Sequence, residues 1–224
     1  MLCAPYPCHG KGGADLTSVE NTYICLAAPL LLAILFLKKD WRRALVFLLS
    51  GMTSCLLAAY VSSFFVSVTM LDPITASHEI APAVEEIIKI LPVLFYLLVF
   101  EPEKKSSISG ILLVAVGFAT FENVCFMTSN GTGELIDLLI RGFGTGAMHV
   151  VCGTMVAVGM FYLWDRVWLR AIGIFAVLCA SITFHAIFNV LVNTPGVLSV
   201  VGSAIPLAMF ITGLFVMRGK MDLS

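Results

Sequence analysis

The chain of 224 residues is 59% hydrophobic and only 12% charged, and its mean hydropathy is +1.00. That composition excludes an ordinary soluble domain and points to a polytopic membrane protein. A net charge of -1, with no dense basic cluster, excludes a nucleic-acid partner.

Residues 1–21 are rich in Gly, Pro and small polar residues, with Lys11 their single basic residue. Without a basic n-region or a small-residue cleavage site they read as an exposed tail, not a signal peptide. Cys3 and Cys8, with His9 beside them, specify no disulfide framework. Cys55, Cys125, Cys152 and Cys179 lie in apolar runs and read as small buried hydrophobes.

Apolar runs long enough to cross a bilayer predict an all-α bundle of about seven transmembrane spans. They cover residues 22–37, 44–71, 80–100, 108–127, 139–163, 168–192 and 197–217, within one membrane domain spanning 22–217. Residues 218–224 form a short tail. Lys38, Lys39, Arg42, Arg43, Lys104, Lys105, Arg166, Arg170, Arg218 and Lys220 all fall in the odd-numbered connections or the C-terminal tail. The intervening connections contain no Lys or Arg. Cytoplasmic loops collect positive charge, so the expected topology is N-terminus out and C-terminus in.

Two basic residues, Lys89 and Arg141, remain in or near the apolar spans, and they have ionisable company. Glu85, Glu86 and Lys89 are on span three, Glu122 and Asn123 on span four, Arg141 and His149 on span five, His185 and Asn189 on span six. At about 1.5 Å of rise per residue, the carboxylates, Lys89, both histidines and Asn189 lie roughly 5–15 Å below the outer surface. Helices of alternating direction thus deliver them to one layer of the outer leaflet. An ionised side chain in a bilayer costs several kcal/mol unless paired or protonated. Lys89 lies three residues from Glu86 and four from Glu85, so it can pair with either, and Glu85 is the expected partner. One ammonium cannot neutralise two carboxylates, and an uncompensated buried carboxylate is how a general acid or base is made.

Other features set the surroundings. Pro82 and Pro92 flank the acidic pair, and Pro92 removes the donor for the Ile88 carbonyl, which predicts a kink or widening there. Gly142, Gly146, Gly153 and Ala157 share a face with His149 and predict close approach of a neighbouring helix. Asn123 reads as a packing hydrogen bond and Arg141 as a residue that snorkels to the surface. His78 and Glu79 stand at the mouth of span three.

The series Glu85-Glu86-x-x-Lys89, Phe121-Glu122-Asn123, His149 and His185-x-x-x-Asn189 resembles the PrsW family of intramembrane proteases. That family lies within the wider group of CAAX-prenyl endopeptidases and ABI/bacteriocin-processing proteins. The resemblance covers residues 78–192. CAAX-type members carry Glu-Glu-x-x-x-Arg, whereas Lys89 stands one position earlier, which favours the PrsW branch over a prenylated substrate.

The resemblance implies a multi-pass protein of the cell membrane that hydrolyses a peptide bond of a membrane-protein substrate near the extracytoplasmic face. A single-pass anti-sigma factor is one such substrate. It also implies roles for the residues. Glu85 and His149 would hold and deprotonate a water, with His185 and Asn189 stabilising the oxyanion and Glu86, Lys89 and Glu122 setting the charge state of Glu85. In the alternative mechanism His149, His185 and Glu122 would bind zinc and a Glu of span three would act as base. The sequence has no His-Glu-x-x-His pair, so the metal-free mechanism and no cofactor are the expectation.

Two other functions compete. A scaffold like the small multi-pass subunit of γ-secretase needs packing and hydrogen bonds but not both Glu and both His. A proton-coupled transporter needs a polar path through both leaflets, and the cytoplasmic half of each span is nearly devoid of ionisable groups.

Overall fold

The computed structural model describes residues 16–100, 104–131, 135–163 and 167–221, nearly all of them in seven α-helices. These are α1 (Leu16–Phe36), α2 (Lys39–Thr69), α3 (Pro73–Phe100), α4 (Lys104–Asn130), α5 (Leu135–Leu163), α6 (Val167–Asn193) and α7 (Val197–Met221). No strand occurs among the described residues, so the all-α bundle read from the apolar runs is the fold. Most helices begin ahead of their apolar run, and at α3 a side-chain cap holds the extension. Asp72 is that cap, its Oδ1 accepting the backbone N–H of Ile74 and Thr75 at 3.0 and 3.1 Å. α1 begins at Leu16, inside the stretch expected to be tail. Residues 1–15, with Cys3, Cys8 and Lys11, lie outside the described residues.

Six of the helices are long and apolar enough to cross a membrane. The seventh, α3, carries Glu85, Glu86 and Lys89 inside its apolar run, and it is built inside out. Those three side chains are buried, whereas Ile87, Leu91 and Phe95 on the same helix are 44%, 48% and 63% exposed. A helix that hides its charges and displays its aliphatic groups suits lipid outside and a polar chamber within. α3 runs unbroken across Pro82 and Pro92 and packs against α2, α4 and α6.

Van der Waals packing holds such a bundle together, since lipid is as apolar as leucine. α2 and α4 make the most intimate pair. A methyl group on Gly51 would run into the carbonyl of Val114, and one on Gly117 into the carbonyl of Leu48. The two glycines therefore let the backbones touch, and Phe118 and Phe121, beside Gly117, are fully buried in the core between α1, α2, α3 and α4. On α5 the small-residue face works only in part. Gly153 meets Ala115 of α4, but among the described residues no atom lies within 4 Å of a methyl on Gly142 or Gly146, and the close contact to α7 is made by Gly144 against Ser203.

Candidate active site

Three helices, α3, α5 and α6, meet at the Glu86 carboxylate, and α4 joins through Glu122. Its Oε1 accepts hydrogen bonds from Lys89 Nζ at 2.6 Å and from His185 Nδ1 at 2.8 Å, and its Oε2 accepts from Ser181 Oγ at 3.1 Å. Lys89 Nζ also lies 2.8 Å from His149 Nδ1. It stands 4.6 Å from the centre of the Phe118 ring, so a buried ammonium has an anion, a lone pair and an aromatic face around it. The expected partner of Lys89 was Glu85; the geometry gives it Glu86, three residues before it on the same helix.

The partners fix the tautomers. An ammonium can only donate, so His149 Nδ1 accepts from Lys89. Nε2 of that ring then carries the proton and donates to Glu122 Oε2 at 2.5 Å. Arg141 donates to the other oxygen of Glu122 at 3.4 Å and stacks on Phe126, 3.7 Å from its centre. Arg141 is thus held in the bundle by Glu122 and Phe126 and does not simply snorkel outward. In His185 the Glu86 carboxylate requires an Nδ1–H, which leaves the lone pair on Nε2.

That lone pair faces Glu85. His185 Nε2 and Glu85 Oε2 lie 3.7 Å apart, too far for a direct hydrogen bond, and Glu85 Oε2 is buried with no hydrogen-bond partner. Three carboxylates (Glu85, Glu86, Glu122) share two cations (Lys89, Arg141), and the unshared charge falls on Glu85. A bare buried carboxylate oxygen beside a bare imidazole lone pair is a place for a water or a cation.

The donor set fits a divalent metal ion. One ligand atom each from Glu85, His149 and His185 lie within 4.8 Å of one another, and all three residues are buried. Two imidazoles and a carboxylate are a catalytic zinc set, and each histidine already has the carboxylate partner on its other nitrogen that metal-bound histidines use, Glu86 for His185 and Glu122 for His149. The carboxylate in this set is Glu85, not Glu122 as expected from the sequence, because both oxygens of Glu122 are taken up by His149 and Arg141.

Of the residues singled out from the sequence, Glu85, Glu86, Lys89, Glu122, Arg141, His149 and His185 form this one network. Asn189 is adjacent but already engaged. Its Nδ2 donates to the Ser77 carbonyl at 2.9 Å and ties α6 to α3, as Asn193 does with His78 one turn on, at 3.1 Å. Asn123 shows no packing hydrogen bond at its Oδ1, which is buried without a partner. Ser181 escaped the sequence reading although it stands four residues before His185. The series Ser181, His185, Asn189 on one helical face was the available signal.

The family model described as PrsW family intramembrane metalloprotease matches residues 39–217, which is most of the chain and includes every member of the network. No curated protein and no solved structure matches the chain. The word metalloprotease in that description weighs against the metal-free expectation. With four of its helices converging on buried Glu and His side chains and the family model spanning α2 to α7, this multi-pass membrane protein belongs to the PrsW family of intramembrane proteases.

Proposed function

We propose that Glu85, His149 and His185 are the catalytic centre, and that it cleaves a single-pass membrane protein close to the extracytoplasmic face. The observation that carries the reading is the buried, unpartnered Glu85 Oε2 facing His185 Nε2 at 3.7 Å. A water between these atoms donates one hydrogen bond to the carboxylate and one to the imidazole. Glu85, with two oxygens to offer, takes the proton the attacking water sheds and returns it to the leaving amide nitrogen. Glu86 holds His185 by Nδ1 and Glu122 holds His149 by Nε2, so both rings keep their orientation during the reaction. A divalent ion held by Glu85, His149 and His185 would supply Lewis acidity at the scissile carbonyl and a bound water of lowered pKa.

α3 crosses with the other six helices, its ionisable groups turned inward. The alternation of basic residues supports an N-terminus outside and a C-terminus in the cytoplasm, which puts the network in the outer leaflet. The order of motifs supports membership of the wider CAAX-protease and ABI group, and within it the PrsW branch supports an anti-sigma factor as the substrate.

Co-expression with such a substrate tests the assignment. Glu85→Gln and His149→Ala should each abolish cleavage while the protein still inserts into the membrane. Full cleavage by either variant removes the assignment.

A further inference from the structure

We propose that Lys89 is a resident cation that competes with the divalent ion for His149. The inference rests on the proposed metal site at Glu85, His149 and His185. His149 has two nitrogens, and Nε2 is committed as a donor to Glu122. Only Nδ1 retains a lone pair, and Lys89 Nζ occupies it at 2.8 Å. A lone pair serves one partner at a time, so a metal ion reaches His149 only when the ammonium leaves. Lys89 has somewhere to go. It already contacts Glu86 Oε1 at 2.6 Å, and that oxygen lies 4.0 Å from His149 Nδ1, so the ammonium can keep its anion while releasing the ring.

Lys89 also supplies charge to the carboxylates around it. Without Lys89 the metal-free chamber would hold Glu85, Glu86 and Glu122 against Arg141 alone, and buried carboxylates lacking a counter-ion are strongly destabilising. Lys89 thus stabilises the metal-free fold at the cost of metal affinity, through both occupancy of the ring and repulsion between like charges. Glu85 and His185 offer the ion two uncontested donors, and His149 completes the set last.

The test is zinc chloride titration of the purified, metal-stripped protein in detergent, followed by calorimetry and by metal content per chain. Wild type should bind one zinc per chain, and His185→Gln should lose it. Lys89→Met should bind at least tenfold tighter than wild type and unfold at a lower temperature when metal-free. Lys89→Arg, which keeps the charge, should not bind tighter than wild type. If Lys89→Met does not fold, Lys89→Gln, which retains a donor for Glu86, takes its place with the same expectation. Zinc binding that is lost in His185→Gln but is no tighter in the neutral Lys89 variants overturns the competition while leaving the metal site standing. No zinc on wild type or on any Lys89 variant overturns both.

Discussion

Glu86 grips His185 by Nδ1, at 2.8 Å, and so decides that the opposite nitrogen, Nε2, is the one turned toward Glu85. Sequence neighbours thereby take different parts: Glu86 is saturated with hydrogen bonds and Glu85 is left bare at Oε2. Glu86→Gln keeps an acceptor for the ring but drops the charge, and outer partners of this type are worth about 10–100-fold in activity. A loss of that size in turnover is expected, against complete loss in Glu85→Gln. Both substitutions leave Lys89 a buried cation without its anion, which costs about 3–5 kcal/mol. Glu86→Ala also removes the oxygen that accepts from Lys89 and His185, so it should unfold at a lower temperature than Glu86→Gln.

Glu122 stands to His149 as Glu86 does to His185, so Glu122→Gln should also cost about 10–100-fold in cleavage. Arg141 contacts Glu122 at 3.4 Å from the edge of the network, with its side chain 19% exposed. At 3.4 Å the contact is long for a charge-assisted hydrogen bond, and Glu122 keeps its shorter bond to His149. Arg141→Gln should therefore lose less activity than Glu122→Gln when the two are assayed side by side. A larger loss in Arg141→Gln would mean that the guanidinium contacts substrate.

The helix count and the membership of the network were legible because both rest on one-dimensional signals. An apolar run long enough to span a bilayer becomes a helix whatever its neighbours do, and a buried Glu or Lys is conspicuous against such a background. The pairings were not legible. Lys89 is within reach of Glu85 and Glu86 alike from sequence, and only the position of His185 across from Glu86 decides between them. Glu122 was the expected carboxylate for a metal, with a Glu of span three as base, and the choice passes to Glu85 only because Arg141 and His149 claim Glu122. The glycines of α5 were legible only in part, for a similar reason: the pattern on one helix does not say which neighbour lies against which glycine. The close contacts fall at Gly153, as expected, and at Gly144 and Gly159, with none from the described residues at Gly142 or Gly146.

Gly117 is the point where α4 rests on α2, five residues before Glu122. A methyl group there meets the Leu48 carbonyl, which is backbone and cannot turn aside. Gly117→Ala should destabilise by about 1–3 kcal/mol, the usual range for overpacking, read as a lower unfolding temperature in detergent. Because the helices must separate to admit the methyl, Glu122 should move from His149, and cleavage should fall along with stability. Gly131→Ala offers the contrast: among the described residues no atom lies within 4 Å of a methyl there, and its positive φ of 75 strains a side chain at the end of α4 itself. It should lower stability without reducing cleavage at a temperature where the protein is folded.

Asp72 governs the start of α3 from outside the membrane-spanning segments. Hydrogen bonds from the Thr75 side chain and backbone hold its carboxyl below the usual carboxylate range. The unfolded chain, with an Asp near the ordinary value of about 4, therefore takes up a proton first as pH falls. The contribution of this cap is present in full above that value and is lost as pH drops through the lower, folded one. Asp72→Ala should accordingly unfold at a lower temperature than wild type at pH 7, and the gap should narrow as the pH is taken below about 4. Asp72→Asn, which can still accept from the backbone N–H of Ile74 and Thr75, should fall between the two at pH 7 and show no such narrowing relative to Asp72→Ala. A gap between wild type and Asp72→Ala that is constant from pH 7 to pH 3 would mean that the charge contributes nothing and the cap acts through geometry alone.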